Sequence, residues 1–316
     1  MKAPFYRTGS STEKMMFYVL MAISIQATIY SIYYHDMPYL LTYFLYIAFA
    51  FILQTVYSFL SDGKVKIPTL SAGITTGLLV LSIPSKMPPV AVLTALTLAL
   101  LFCKFMIDKQ ALRLNPMLVA RLFLMFAFPD AIQNWTKPGV VMDSITTATP
   151  LTVFKYEEIT FPLLEIIKGT IASSADSMYT YIHGSPADAL PLISILIGLF
   201  LWKSGVLDWR CPLVFVGTFF ITSFLLGNPP LYSTITGSII FSAVYIATDL
   251  RTTPKSKIGR IIAGVIAGVI NAFIRKYTWW PEGIVFAFLA VNILTPTIDR
   301  ITFYCQAKRL QHYKAP

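Results

Sequence analysis

The run Asp143-Ser144-Ile145-Thr146-Thr147-Ala148-Thr149-Pro150-Leu151 concentrates hydroxyl groups and small side chains. Such a stretch gives an exposed, extended backbone that a modifying enzyme can grip, and Thr149 offers it a hydroxyl. The same composition also suits an ordinary surface turn. A threonine hydroxyl is a weak nucleophile without an adjacent base, and neither histidine nor lysine stands beside Thr149. The chemistry open to this run is acceptance of an attached group, and no catalytic side chain is assigned.

Arg121 is the sharpest charge inside an apolar segment. An unpaired arginine at mid-membrane costs about 2.5–3.5 kcal/mol even on insertion scales, more than several Leu or Ile residues return at roughly 0.3–0.6 each. It must face the protein interior and meet a carboxylate, a backbone carbonyl or a bound anion. Structural pairing and contact with a cofactor or ion are equally open. Cys103, Cys211 and Cys305 lie far apart, as do His35, His183 and His312. Their spacing suggests neither a disulfide framework nor a metal or iron–sulfur site.

The elements that position these residues are set by composition. The 316 residues are 56% hydrophobic and 13% charged, whereas soluble chains carry about 25% charged residues. The chain reads as an all-α integral membrane protein, one domain over 1–316. A spanning helix needs about 20 apolar residues, and runs that roughly meet this occur at 15–34, 38–60, 68–84, 88–107, 112–129, 190–207, 212–228, 231–248, 260–275 and 281–298. That predicts about ten transmembrane helices: a first half over 1–129, a long polar loop over 130–189 and a second half over 190–316. Pro84, Pro116, Pro129 and Pro296 fall inside or at the ends of segments and suggest broken helices. No cleavable signal peptide is evident, since the polar stretch 1–14 precedes an apolar run that lacks a convincing cleavage site.

The net charge of +10 sets orientation and implies no nucleic-acid partner, because the basic residues fall between apolar segments. Most of the 25 Lys and Arg residues lie on the side of the termini, whereas Lys86, Lys137, Lys155, Lys168, Arg275 and Lys276 lie opposite. Positive-inside bias therefore puts both termini in the cytoplasm and the loop 130–189 outside it. Five segments on either side of the loop predict two halves of inverted topology. Weak echoes fit this: Thr76-Gly77 in the third segment with Thr236-Gly237 in the eighth, and Pro116 before Arg121 with Pro296 before Arg300. Chance similarity explains them equally well. Gly264 and Gly268 stand at G-x-x-x-G spacing, which lets another helix approach closely. Asp249 and Asp299 sit next to arginines and predict ion pairs, and Glu282 after Trp279-Trp280-Pro281 is expected at the membrane interface with the aromatic belt.

Together these stretches resemble the D subunit of the Rnf electron-transport complex, which is similar to the B subunit of the sodium-pumping NADH:quinone reductase. The flavin site of that family reads approximately D-x-x-[ST]-G-A-T-P-L, matched here by Asp143, Thr146, Ala148, Thr149, Pro150 and Leu151. Further matches are Pro4, Arg7, Ser11 and Met16; Asn115-Pro116 with Val119-Ala120-Arg121; Trp209-Arg210-Cys211-Pro212; Ala247-Thr248-Asp249; Thr252-Thr253-Pro254-Lys255; Gly259-Arg260; Pro281-Glu282-Gly283; and Asn292 through Arg300. The chain departs from the pattern at Thr147, which replaces a glycine, at 108–114, which replaces a glycine-rich stretch, and at 184–188, which lacks a Gly-Glu pair.

The resemblance implies FMN carried on Thr149 through a phosphoester bond, installed by a separate flavin transferase, with Asp143, Thr146, Thr147, Ala148 and Pro150 around it. It also implies a second, noncovalent flavin such as riboflavin, with Arg121 as its neighbour. The expected function is electron transfer within a multi-subunit complex in the prokaryotic cytoplasmic membrane, coupling ferredoxin and NAD redox chemistry to sodium or proton movement. This fits a chain poor in redox-capable side chains, in which a cofactor carries the electrons and the protein supplies position and electrostatics. Two alternatives remain: a flavin-bearing conduit to extracytoplasmic acceptors without ion pumping, and a channel or transporter for a small solute.

Overall fold

Proline sets where many of the helices begin. It lacks the N–H that a first-turn residue leaves unused, and its fixed φ suits the first helical position. In the computed structural model α4 (Pro89–Ala99), α5 (Pro116–Ala127), α6 (Pro129–Gln133), α7 (Pro150–Glu157), α9 (Pro191–Lys203) and α11 (Pro230–Ile235) all start on it. The remaining helices are α1 (Thr12–Tyr33), α2 (Met37–Asp62), α3 (Leu70–Ser82), α8 (Leu163–Lys168), α10 (Arg210–Leu225), α12 (Ile239–Tyr245), α13 (Lys257–Tyr277) and α14 (Ile284–Lys314), and α4 continues as a π-helical stretch, Leu100–Met106. Side chains close several of the N-termini: Asp36 accepts from Tyr39 N at 3.2 Å, Asn115 from Met117 N at 3.0 Å and Ser256 from Gly259 N at 2.9 Å. The structure describes residues 12–63, 68–106, 113–136, 146–147, 149–157, 160, 162–172, 179–181, 184–249 and 251–314. Asp143 and Ala148, with the side chains of Thr146 and Thr147, lie outside the described residues.

At 1.5 Å per residue a helix needs about 20 residues to cross a hydrocarbon core of about 30 Å. Among the described residues four helical stretches are long and apolar enough: Thr12–Tyr33, Met37–Ser61, Lys257–Tyr277 and Ile284–Lys308. The segments at α3, α4, α5, α9 and α10 are apolar but shorter. Large apolar side chains line the perimeter, among them Leu41, Leu45, Ile52 and Phe59 on α2 and Leu213, Ile221, Phe224 and Leu225 on α10. Such a surface is at home only in lipid. The chain is a multi-pass membrane protein.

Proline and glycine act differently from expectation. Pro296 lies inside α14, which runs through it without a break. The eighth segment is the one that breaks: α11 ends at Ile235, Gly237 turns the chain at φ 75°, and α12 restarts at Ile239. Gly77, its supposed echo, sits within the unbroken α3. The other echo also differs, since Pro116 opens a helix with Arg121 buried, whereas Pro296 is mid-helix with Arg300 exposed.

α3 packs between α1 and α2 and against α5, α13 between α10 and α14, and α9 on α12; α1 meets α9 and α5 meets α14. The expected close approach is present where α13 crosses α10. A Cβ on Gly264 would come within 2.8 Å of the Cys211 carbonyl, and one on Gly268 within 2.9 Å of that of Phe215. A buried polar tie joins the helices inside: Gln26 Nε2 donates to Ser194 Oγ at 2.9 Å, and Tyr245 Oη donates to Gln26 Oε1 at 3.0 Å.

The described part of the loop 130–189 sits on one face, at the end of α1 and the start of α14, and the start of α1 lies on the other. The loop is folded where it is described. It holds α6, α7, α8 and two antiparallel ribbons, β1 (Trp135–Thr136) with β2 (Thr146–Thr147), and β3 (Thr170–Ala172) with β4 (Tyr179–Tyr181). The end of α1 holds it down, with Tyr33 Oη donating to the Lys168 carbonyl at 2.8 Å and Tyr34 Oη to that of Gly169 at 3.0 Å. Ala187 N donates to the Leu81 carbonyl at 2.8 Å, which fixes the neighbouring Asp188 over the end of α3.

Candidate functional site

Thr149 closes the N-terminus of α7. Its Oγ1 accepts from Thr152 N at 3.1 Å, its carbonyl accepts from Val153 N at 2.9 Å, and Pro150 takes the first helical position. The Thr149 and Thr152 hydroxyls are 2.8 Å apart. This is N-cap chemistry, in which a side-chain oxygen satisfies an amide that the helix leaves free. Just upstream, Thr147 pairs with Trp135 and Thr146 with Thr136. At the position where the family pattern has glycine, Thr147 is in extended backbone, which a β-branched residue favours.

Thr149, Pro150 and Leu151 line a small cavity of about 80 Å³ on the loop face, together with Arg121 and Glu282. Five elements bring a polar cluster together beside it: the middle of α5 supplies Arg121, the turn before α14 supplies Glu282, α13 supplies Arg275, the break before α12 supplies Ser238, and the turn before α9 supplies Asp188. Arg121 Nη2 donates to Glu282 Oε2 at 2.9 Å, and Arg275 Nη2 lies 3.9 Å from Oε1. Ser238 adds its amide at 2.6 Å and its hydroxyl at 2.9 Å to the same carboxylate. Gly237 makes the cluster sterically feasible, because a Cβ there would stand 2.6 Å from Glu282 Oε1 and 2.7 Å from Arg275 Nη2.

Charge is divided unevenly between the two carboxyls. Burial works to raise Glu282, but Arg121 and Arg275 outweigh it and hold its pKa below the ordinary value. Burial foremost, then the charge of Glu282, pushes Asp188 up to about 7. Glu282 is thus the resident anion, and Asp188 exchanges a proton near neutrality. Four polar atoms here have no partner among the described residues: Arg121 Nε, Arg275 Nε, Asp188 Oδ1 and Ser185 Oγ. Of these residues, Arg121 and Asp188 line the cavity.

The structure therefore brings together Thr149, Pro150 and Arg121 among the residues singled out from the sequence. The Glu282 side chain faces inward: it is 15% exposed and is the partner of Arg121. Arg275, counted from sequence among the loop-side basic residues, is buried. Asp188 was not singled out. A lone carboxylate in a departure from the family pattern was the available signal. Asp299 meets Arg113 at 3.8 Å rather than its neighbour Arg300. Asp249 accepts from Asn115 Nδ2 at 3.3 Å and Thr252 Oγ1 at 2.8 Å. With Asn115, Tyr245 and Gln54 it lines a cavity of about 530 Å³ on the opposite face, which Arg121 does not reach.

Residues 1–307 match the model of the NQR2, RnfD, RnfE family. The chain is similar to the D subunit of the proton-translocating ferredoxin:NAD(+) oxidoreductase complex of Clostridium ljungdahlii, 27% identical over 95% of this chain and 93% of the relative. It is 31% identical to the D subunit of the Na(+)-translocating complex of Acetobacterium woodii, over 60% of this chain and 57% of that one. The D subunit of the ion-translocating oxidoreductase complex of Pseudomonas paraeruginosa is 27% identical over 81% of this chain and 77% of its own length. With a match over nearly its whole length, the chain belongs to the NQR2, RnfD, RnfE family.

Proposed function

We infer that this protein is the D subunit of an Rnf-type complex in a prokaryotic cytoplasmic membrane and passes electrons through FMN esterified to Thr149 Oγ1. A flavin transferase installs the group, both termini face the cytoplasm, and the loop 130–189 faces outward. The observation that carries the reading is the position of the Thr149 hydroxyl at a helix N-terminus, beside a cavity that contains a buried arginine.

A phosphodiester suits these residues. The first turn of α7 presents amides and the positive end of its dipole to an anion, and Arg121 adds a charge with one donor unpartnered. Once Oγ1 is esterified it can only accept, so the Thr152 hydroxyl, 2.8 Å away, becomes the donor of that pair. The cavity volume of about 80 Å³ is below the roughly 300–1,000 Å³ of cofactor pockets. It holds the tether and not the whole ring system. When bound, FMN supplies the one- and two-electron chemistry that the side chains lack. The chain's part is to hold the phosphate, limit water at Arg121 and Glu282, and keep a protonatable carboxyl, Asp188, in the same cavity.

A second, noncovalent flavin fits the opposite cavity, whose volume of about 530 Å³ lies in the cofactor range. Arg121 would not be its neighbour. We also read the two groups of five segments as inverted relatives; the pairing of α1 with α9 and of α5 with α14, first with first and last with last, supports this. Relatives named for proton and for Na(+) translocation leave the coupling ion of this chain to experiment.

The test is mass spectrometry of the peptide containing Thr149, expected to carry the mass of FMN less water, with in-gel flavin fluorescence that disappears in Thr149→Val. Unsubstituted Thr149 in material matured with its transferase would end this reading.

A further inference from the structure

Leu151 and Pro281 wall off two cavities from each other on the loop face. One is the cavity beside Thr149. The other, of about 400 Å³, opens between α7 and the adjoining ends of α10 and α13, and Thr149 does not line it. Its charged lining residues among the described residues are Lys155, Arg275 and Lys276, with no carboxylate among them.

These cations have hydrogen-bond partners but little compensating charge. Lys155 Nζ donates to the carbonyls of Thr278 and Trp280 at 2.5 and 2.6 Å, and Lys276 Nζ donates to Asn228 Oδ1 at 3.3 Å. All three acceptors are neutral. Arg275, 7% exposed, gives Nη1 to the Ser233 carbonyl at 2.7 Å and keeps Nε unpartnered. Glu282, its ion-pair partner, is closer to Arg121, at 2.9 against 3.9 Å, and the charge of Asp188 acts on it as well. Burial and then the charge of Arg275 lower Lys155 to about 8, as expected where cations crowd without an anion.

We propose that this cavity binds a phosphate group, as the headgroup of an anionic lipid or as free phosphate. Cations from separate elements surround a space too large for one small ion, and arginine with two lysines suits an acceptor that offers several charged oxygens. Exposed Tyr277, Trp279 and Leu225, at 68%, 87% and 75%, rim this end of α13 and α10 and mark the membrane boundary where headgroups lie. The proposal does not depend on flavin at Thr149.

The full-length chain is purified and tested in two arms. In one, nanodiscs of phosphatidylcholine with and without phosphatidylglycerol are compared by native mass spectrometry for retained lipid. In the other, inorganic phosphate is titrated against chloride at equal ionic strength and the thermal midpoint is read. Lys155→Gln and Lys276→Gln are expected to weaken binding about tenfold, the loss of one charge-assisted contact, while Lys168→Gln outside the cavity leaves it unchanged. Retention of phosphatidylglycerol with this pattern identifies a lipid, and a midpoint raised by phosphate with this pattern identifies the free anion. If wild type distinguishes neither anion from its control, or if Lys168→Gln weakens binding as much as the cavity variants, the proposal is overturned.

Discussion

Arg121 and Glu282 stand 161 residues apart and meet at 2.9 Å, tying the middle of α5 to the turn that starts α14. A buried pair of this kind adds little net stability over apolar packing, but removing one partner strands the other charge. Glu282 also holds Ser238 and faces Arg275, so its loss strands more than the loss of Arg121 does.

Glu282→Ala is therefore expected to destabilise the protein by about 3–5 kcal/mol, and Arg121→Met by less because Arg275 still faces the carboxylate. Unfolding midpoints of the two variants in one detergent check the order; equal losses would show that Arg275 contributes nothing.

Thr149 has two roles that substitution separates. Thr149→Val removes both the esterifiable oxygen and the cap of α7, so flavin is lost and stability falls by about 1 kcal/mol. Thr149→Ser keeps an oxygen at the cap and is expected to retain both. In-gel fluorescence and thermal melts on the same preparations read the two effects independently.

Asp188 predicts a pH dependence with a definite sign. Its folded pKa, about 7, lies above the ordinary 3.8, so the folded state binds the proton more tightly. Its contribution is fully present below the ordinary value, fades as pH rises, and is gone above about 7. The thermal midpoint of wild type minus that of Asp188→Asn should fall across this window and level off above it. A flat difference curve would place the carboxyl in contact with water.

Gly237 and Gly217 form a contrasting pair. Gly237→Ala forces a side chain to φ 75° and into atoms at 2.6–2.9 Å, and is expected to cost about 1–3 kcal/mol for the backbone alone. Gly217→Ala, mid-α10 with no atom within 4 Å of the added Cβ, should stabilise by up to about 1 kcal/mol. Melting midpoints decide; a tolerant Gly237→Ala would mean that the break before α12 yields.

What sequence alone determined depends on residues near one another along the chain. The apolar runs and the small-residue stripe of Gly264 and Gly268 were legible because propensity and close approach are settled within a turn or two. The candidate Thr149 run was legible as a pattern, though not that its hydroxyl caps α7. Tertiary structure decided the rest. Pro296 could not be told from a helix breaker, nor Gly237 from a packing glycine, because the surrounding contacts choose between those roles. The burial of Arg275, the partner of Arg121 and the proton held by Asp188 likewise had no local signal. Each depends on which helix ends meet, and charge energies depend on distances and burial that only the assembled bundle sets.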